Sequence, residues 1–217
     1  MAYRETSRIR ERKQITRQAI LTNALRLLNE SGFSGIQMAT LARQCQLATG
    51  TLYRYFSSKE ALCTAVFEHA TIIEINRVAA QLQQPHKGVP ERIADALMTF
   101  AKRALRAPVA AWALIAEPVE PAVSAARLRY REQYATLFAQ AIDEGIVERS
   151  LPQQNSTLSS HALVGAIAEA LIGPLAQQNQ YQPWQAISAS VQFCMQAITA
   201  TPYTIICPQQ ELSHEQR

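Results

Sequence analysis

The apolar residues of this chain recur at helical spacing, and the tightest pattern of this kind lies near the N-terminus. Four apolar residues stand at i, i+3, i+4 and i+7, and these are Met38, Leu41, Ala42 and Cys45. This spacing places them on one face of a helix. After a break of three residues, a second short helix can begin at Thr49. The pattern predicts two short helices joined by a tight turn, and the small Ala42 lets them cross closely.

The second helix, predicted over residues 49–56, keeps apolar side chains on its inner side, where Leu52 and Phe56 stand at i and i+4. Its outer side contains hydroxyls, aromatic rings and one cation, with no carboxylate: Thr49, Thr51, Tyr53, Arg54 and Tyr55. Such a face can lie in an anionic groove, where hydroxyls reach base edges or phosphate oxygens. The alternative interpretation makes the two tyrosines core aromatics of a small helical domain.

The distribution of charge also points to an anionic partner. The chain has 217 residues and a formal net charge of +4. Residues 1–60 hold ten Lys and Arg against four Glu, a net charge of +6, so the rest of the chain is at −2. The positive charge therefore lies with the two-helix pattern, as expected of a surface that binds phosphates in a salt-dependent way.

The stretch from Thr49 to Leu62, TGTLYRYFSSKEAL, resembles the signature of the TetR family of bacterial transcriptional regulators. It combines Gly-Thr-Leu-Tyr, an aromatic pair and Ser-Lys-Glu in register. The resemblance implies an N-terminal three-helix domain with a helix-turn-helix motif at residues 37–56, followed by a larger helical domain for ligand binding and dimerisation. After about Lys87 the resemblance is one of architecture alone.

Carried over to this chain, the resemblance implies six residues that contact DNA. They are Thr49 and Gly50 at the edge of the groove, Thr51 and Tyr53 at the bases, and Tyr55 and Lys59 at phosphates. Lys59 would act from the start of a fourth helix, whose dipole adds to its charge. An ordinary solvated lysine is the alternative interpretation of Lys59.

Three positions depart from the family pattern, and each has a consequence. Gln37 stands where a helix-capping threonine is usual, and Ala39 stands where a polar or basic residue often contacts DNA. Both argue against base contacts from the first helix of the motif. Gln46 occupies a turn position usually held by glycine. It predicts a slightly strained turn, because a non-glycine residue at positive φ is disfavoured.

The ends of several other elements can be predicted from capping residues. Residues 1–13 are polar and arginine-rich, and we expect a flexible basic arm that follows DNA or serves only as a solubilising tail. Thr16 is expected to cap the first helix, and Gly32 to end it. Ser57 and Glu60 have the spacing of a capping box at the start of the fourth helix.

The rest of the chain also reads as helical, since only 7 glycines interrupt long segments rich in Ala, Leu, Gln and Arg. The fold class predicted is all-α. The DNA-binding domain is expected over residues 14–74, the effector-binding and dimerisation domain over 75–200, and a tail over 201–217. Gly145 is expected to end the long seventh helix.

Six aromatic residues are candidates for a small-molecule pocket between helices of the body. They are Phe67, Phe100, Trp112, Tyr130, Tyr134 and Phe138. Ligand pockets combine apolar rings and polar tips in this way, and plain hydrophobic cores do so too. The family resemblance implies an effector pocket in this body and does not identify the effector.

Residues 161–176 contain a single charged residue, Glu169, and a helix that is apolar all round must be buried on more than one side. We expect this helix and the next to pack on the same helices of a second copy, as the family resemblance implies. The residues expected at this interface are Leu163, Ala166, Ile167, Ala170, Val191 and Met195. The alternative is that the first helix forms the core of a monomer.

No enzymatic chemistry, metal or cofactor is predicted from this sequence. The four histidines are dispersed, and HExxH, GxSxG and phosphate-loop motifs are not found. The four cysteines lack the spacing of a zinc site. The N-terminus does not resemble a signal peptide, and no stretch reaches 18 charge-free apolar residues. A cytoplasmic protein without membrane contact is therefore expected.

Together, these features predict a homodimeric repressor that binds a palindromic operator in double-stranded DNA and is released by a small-molecule effector. The alternative is a DNA-binding architectural or protein-interaction module of the same fold, without an effector. A pocket filled by the protein's own side chains would favour the alternative.

Overall fold

The structure is a computed structural model that describes residues 7–176 and 183–201, and over these residues it is entirely helical and loop. The helices are α1 Ser7–Ser31, α2 Met38–Gln44, α3 Thr49–Tyr55, α4 Lys59–Leu82, α5 Val89–Arg106, α6 Pro108–Ile115, α7 Pro121–Val147, α8 Ser156–Ala176 and α9 Pro183–Thr199. The predicted all-α fold class is confirmed. The tail predicted over 201–217 lies, apart from its first residue, outside the described residues.

The described residues form two compact units. The first runs from α1 to Asn76 and also includes Arg106–Arg131, while the second contains Arg77–Leu105 and continues from Glu132. This division differs from the linear boundary predicted near residue 75. The difference arises because α6 and the first part of α7 pack with the N-terminal helices.

The first unit is organised around one continuous apolar core shared by α1 to α4. Its fully buried members include Ile20, Leu28, Ile36, Leu41, Leu52 and Leu62. Ala113, Val123 and Ala126 add α6 and α7 to the same core. Since burying one leucine or isoleucine side chain contributes about 1.5–3 kcal/mol, this core holds α2 and α3 firmly against their supports.

Helix α1 ends as predicted but begins earlier. At its end, Gly32 has a φ of 68° and its N–H donates to the Leu28 carbonyl at 3.0 Å. At the other end, α1 begins at Ser7, and the Thr16 hydroxyl donates to the Arg12 carbonyl within the helix. The predictions of a cap at Thr16 and of a flexible arm through residue 13 are therefore wrong from Ser7 onward. The residues before Ser7 lie outside the described part of the chain.

The turn between α2 and α3 is strained at the expected residue. Gln46 has a φ of 56°, in the left-handed region that favours glycine. Its N–H donates to the Arg43 carbonyl, and the N–H of Leu47 donates to the Ala42 carbonyl at 2.9 Å. These two hydrogen bonds close the turn. The positive φ of Gln46 confirms the strain predicted at this residue.

The start of α4 is capped one residue later than predicted. The Ser58 hydroxyl accepts the N–H of Ala61 at 3.0 Å, which makes Ser58, rather than Ser57, the capping residue. The Glu60 carboxylate instead accepts the N–H of Ala122 at 3.1 Å, in the first turn of α7. Glu60 therefore joins two helices and does not close a capping box on its own helix.

A buried carboxylate joins the α6–α7 connection to the end of α1. Glu117 is 8% exposed, and its two carboxylate oxygens accept the N–H groups of Phe33 and Ser34, each at 2.9 Å. These contacts bring α6 into the first unit. They are charge-assisted hydrogen bonds, which are roughly twice as strong as neutral ones.

Arg127 of α7 holds the same connection from the other side. Its guanidinium donates to three carbonyls at the end of α6, those of Ala113, Leu114 and Glu117, at 2.9 to 3.1 Å. A cation near a helix C-terminus is favourable because it meets the negative end of the helix dipole. Burial is the main cause that lowers the pKa of Arg127 from its usual value.

The second unit is built on α5, the later part of α7, α8 and α9. Its buried residues include Ile93, Leu97, Phe138, Ile142, Leu163, Ile167, Leu171, Ile187, Val191 and Met195. Gly145 lies inside α7, which continues to Val147, so the prediction that Gly145 ends this helix is wrong. A Cβ at Gly145 would lie 2.7 Å from the Leu151 side chain and 2.9 Å from that of Val89. Glycine is therefore required there by packing.

Helix α8 is, by length and composition alone, apolar enough to cross a membrane, and 33% of its most apolar window is buried in this chain. The core helix of a soluble protein passes the same test. Composition by itself therefore does not support the expectation that the chain has no spanning helix. Pro174 lies inside α8, which ends at Ala176.

Candidate nucleic-acid interface

Helix α3 presents the outer face that its sequence predicts. Its inner residue Leu52 is fully buried, and Phe56, directly after the helix, is 4% exposed. On the outer side, Thr49 and Gly50 are exposed and Tyr53 is 45% exposed, although it is a large aromatic residue. The core therefore fixes α3 from one side and leaves the polar and aromatic side free for a partner.

Gly50 is an open position on this surface. A Cβ built there meets no atom of the described chain within 4 Å. No internal packing therefore requires glycine at this position, in contrast to Gly145. A backbone without a side chain at an exposed position allows a partner to approach closely.

Three other predicted contact residues border α3. Thr51 and Tyr55 are half-buried, and Tyr55 packs partly against the core of the first unit. Lys59 is the first residue of α4 and is half-buried. Its ammonium group adds to the positive end of the helix dipole, an arrangement that favours phosphate binding.

The departures from the family pattern have the local structure expected of them. Gln37 precedes α2 with an extended backbone and makes no side-chain capping hydrogen bond. Ala39 is exposed and offers only a methyl group. Neither position therefore gives α2 a capping group or a polar contact, and the six residues predicted to contact DNA all lie on α3 and at the start of α4.

Arg17 completes the surface in a way that the sequence did not predict. Its guanidinium carbon lies 5.0 Å above the centre of the Phe56 ring, a cation–π contact worth about 0.5–1 kcal/mol at an exposed site. Arg17 is exposed, so its charge stays at the edge of the motif. The two residues are far apart in sequence, and no local pattern indicates their contact.

The charged residues around α3 are mainly cations. The first turn of α3 contains no acidic residue. Arg43 of α2 and Arg54 of α3 are both exposed. Among residues 7–59, nine Lys and Arg stand against two Glu, so phosphate contact here would meet little repulsion.

The six residues predicted to line an effector pocket are divided between the two units. In the first unit, Phe67 and Tyr130 make an edge-on contact with ring centres 5.6 Å apart, and Trp112 is half-buried. In the second unit, Phe100 and Tyr134 make a similar contact at 5.8 Å. The sixth residue is the buried Phe138. The pocket itself stays a prediction.

The residues predicted for the dimer interface are mostly turned inward. Leu163, Ile167, Val191 and Met195 are each at most 4% exposed in the single chain. Their side chains lie in the core of the second unit of the single chain. The interface predicted for them stays a prediction. Ala166 and Ala170 are half-buried, nearer the outer side of α8.

Other residues carry the outer apolar surface of these two helices. Leu158 of α8 is 68% exposed and Phe193 of α9 is 64% exposed. Sequence analysis did not select them, because α8 has too few polar residues to show which side faces inward. Within residues 7–176 and 183–201, no three His, Cys, Asp or Glu side chains come together as a metal site requires.

Comparison with known proteins agrees with this geometry. A family model for bacterial regulatory proteins of the TetR family matches residues 20–66, which contain the helix-turn-helix motif. The chain is similar to the HTH-type transcriptional regulator UidR of Escherichia coli K12, with 25% identity over 176 residues, covering 77% of this chain and 88% of UidR.

Two further similarities cover different shares of the chain. The nucleoid occlusion factor SlmA of Haemophilus influenzae is 32% identical over 98 residues, which make up 44% of each protein. The structure of the transcriptional regulator FadR from Bacillus subtilis is 17% identical and superposes with a TM-score of 0.70, covering 82% of this chain and 97% of FadR. This last likeness shows a shared fold. The match over residues 20–66 therefore relates the helix-turn-helix segment of this chain to the TetR family of bacterial regulatory proteins.

Proposed function

We propose that this regulator is a homodimeric repressor that binds a palindromic operator and leaves it when a small molecule binds. The observation that supports the proposal best is the outer face of α3, which is exposed, free of carboxylates and fixed from behind by Leu52. A short helix held in this way fits the major groove, where base edges differ in their hydrogen-bonding groups.

The roles of the contact residues follow from their chemistry and position. Thr51 and Tyr53 would approach base edges from the middle of α3, with Thr49 and Gly50 at the edge of the groove. Tyr55 and Lys59 would bind phosphates; the first has a hydroxyl donor and the second a charge at the start of α4. The bases supply specificity in this arrangement, and the phosphates supply register and much of the affinity.

A dimer is proposed because α8 and α9 leave large apolar side chains in water. Exposed apolar surface on a soluble protein commonly marks a contact with a partner. Leu158 and Phe193 are the candidates, with Ala166 and Ala170 beside them on α8. A two-fold dimer places two α3 helices in successive major grooves, so the operator half-sites would lie about one helical turn apart.

Release by an effector is proposed partly because a protein that shares this fold has been solved with a ligand. The FadR structure that shares this fold was solved in complex with stearoyl-CoA, and the aromatic residues of both units here offer apolar surface. An effector would act by binding more tightly to a conformation that fits the operator poorly. Since its target is chromosomal DNA, we propose that the regulator works in the cytoplasm.

The test is binding of the purified protein to a random duplex library, and then to its own upstream region, at two salt concentrations. We expect enrichment of a palindrome bound by a dimer. Thr51→Ala and Tyr53→Ala should each cost about 1–3 kcal/mol of specific binding. Lys59→Ala should weaken binding to all DNA about equally and lower the salt slope by about one unit. An unchanged affinity in Tyr53→Ala would show that α3 does not read the operator.

The alternative function is an architectural or protein-interaction module that uses the same DNA-binding head. The similarity to a nucleoid occlusion factor over 98 residues favours it. Salt-sensitive binding without sequence preference, together with no small molecule that alters DNA binding, would support this alternative. A repressor would instead show a defined operator and at least one such ligand.

A further inference from the structure

The first turns of α1 lie outside the hydrophobic core. Ile20 is the first fully buried residue of the helix. Between Arg8 and Ala19, the side chains of Ile9 and Thr16 are half-buried and the others are exposed. Exposed turns gain little stability from packing in the core, so the core does not determine their sequence. That sequence is strongly basic, with five cations and the single carboxylate of Glu11 over residues 8–19.

Three of these cations form a stripe along one side of the helix. Arg10, Lys13 and Arg17 stand at i, i+3 and i+7, so their side chains leave the helix within about 60° of one another. The stripe is about 10 Å long at 1.5 Å per residue. Its inner end is placed by the contact of Arg17 with the Phe56 ring.

That contact sets where the stripe lies in the first unit. Phe56 directly follows α3 and lies three residues before Lys59, so the stripe starts at the C-terminal edge of the proposed recognition helix. The opposite end of α1 is held by Glu117 through the N–H groups of Phe33 and Ser34. Arg17, the C-terminal member of the stripe, therefore lies at the C-terminal edge of α3.

We propose that the stripe of Arg10, Lys13 and Arg17 binds the sugar-phosphate backbone of the DNA next to the groove that α3 occupies. The proposal rests on the proposed function, because it needs α3 to be seated in that groove. DNA has the complementary charge, because cations spaced along one helix can bind successive phosphates of a strand. The stripe would add affinity and register and would not select bases.

The test compares two double variants of the full-length protein that lose the same charge from the same turns. Arg10→Gln with Lys13→Gln removes two cations of the stripe and leaves the Arg17–Phe56 contact intact. Arg8→Gln with Arg12→Gln is the matched control, because these two side chains leave the helix about 140–180° from Arg17. Both sets replace good helix formers with glutamine, which is similar in helix propensity.

Binding is measured from low to high salt on two duplexes of equal length, the palindrome selected from the library and a random sequence. For the stripe variant, we expect the slope of log affinity against log salt to fall by about 0.9 for each phosphate contact removed. The loss should be similar on both duplexes, since backbone contacts carry no sequence information. The control variant should keep the wild-type slope.

Two results would overturn the proposal: an unchanged slope in the stripe variant, or equal falls in the stripe and control variants, which would reflect net charge alone.

Arg10→Lys with Lys13→Arg keeps both charges and should bind as wild type; a loss of affinity there would show that the fold, rather than charge, had been disturbed. Failure of the wild type to prefer the palindrome would count against the proposed function instead. The stripe would still be judged from the random duplex.

Discussion

The carboxylate of Glu117 accepts the backbone N–H of Phe33 at 2.9 Å, across 84 residues of sequence. Its second oxygen accepts the neighbouring N–H of Ser34. Gly32, with its positive φ, turns the chain so that both N–H groups face the carboxylate. The end of α1 therefore depends on a side chain from the connection between α6 and α7.

Replacing Glu117 with glutamine should destabilise the first unit. Glutamine keeps one acceptor oxygen but turns its NH₂ group toward a second N–H, so a buried donor is left without a partner. Such a group costs about 1–3 kcal/mol, and we expect the free energy of unfolding to fall by that amount in chemical denaturation. Glu120→Gln is the control, because it makes the same charge change at a half-buried position. An equal loss in both variants would mean that charge alone explains the effect.

Gly50→Ala should change stability and DNA affinity in opposite directions. A Cβ at this position meets nothing in the described chain, and alanine is more favourable than glycine in a helix by about 0.5–1 kcal/mol. The melting temperature should therefore stay the same or rise. Operator affinity should fall, because the new methyl group stands where the backbone would approach DNA. Gly88→Ala, before α5, is the control and should leave operator affinity unchanged. If Gly50→Ala bound the operator as tightly as wild type, Gly50 would not be part of the DNA interface.

Phe193→Glu should break the proposed dimer without unfolding the chain. Phe193 is 64% exposed in the single chain, so the subunit does not need its ring. In an interface, the new carboxylate would be desolvated without a partner, and the dimer dissociation constant should rise more than about tenfold. Sedimentation velocity over a range of concentrations measures this change. Val147→Glu is the control, since Val147 is 83% exposed on α7. If only the control variant dissociated, the dimer interface would include α7 and not Phe193.

The thiols of the described residues should differ sharply in reactivity. Burial is the main cause that raises the pKa of Cys63 to about 11 and that of Cys194 to about 11. Cys45 is half-buried, and its pKa is also raised by burial. At neutral pH the buried thiols stay protonated and shielded, so iodoacetamide should modify Cys45 well before the other two. Peptide mass spectrometry measures the order in which the thiols are modified. The difference between them should disappear in denaturant. Early labelling of Cys63 would contradict its burial.

His161 should make stability depend on pH in the second unit. Its two ring nitrogens lie 2.7 Å from the Thr157 carbonyl and 2.8 Å from the Glu132 carboxylate, so both positions favour a protonated ring. The Thr157 carbonyl first and then Glu132 raise the pKa of His161 above its usual value. The stabilisation is therefore fully present below the usual pKa and is lost as pH rises through the raised one. His161→Gln should flatten this part of the melting-temperature profile, and His86→Gln should not.

Local patterns were sufficient for the helix-turn-helix motif. Its two helices agree with the predicted ones to within about a residue, and the strain at Gln46 follows from one residue type in one position. These features depend on neighbours within a few residues. The positions of Glu117 and Arg17 could not be predicted in that way, because their partners lie far away in sequence.

The inner side of α8 was the other feature that the sequence did not resolve. A helix shows which side is buried through the period of its polar residues, and α8 has almost none between His161 and Ala176. Leu163 and Ile167 were therefore predicted at an interface, whereas in the single chain they lie in the core of the second unit. Their part in a dimer stays a prediction. The start of α1 was misplaced for a related reason, because its first turns are mostly polar and show no apolar stripe.

One hydrogen bond connects the start of α4, where the proposed phosphate contact lies, to the first turn of α7. Glu60 holds the first turn of α7 through the N–H of Ala122, and its neighbour in the chain is Lys59, the proposed phosphate contact. If the first turn of α7 shifts by about an ångström, either this bond breaks or the start of α4 must move with it. A shift that begins in α7 would thus reach Lys59 across a single peptide unit, without any change in the helix-turn-helix motif itself.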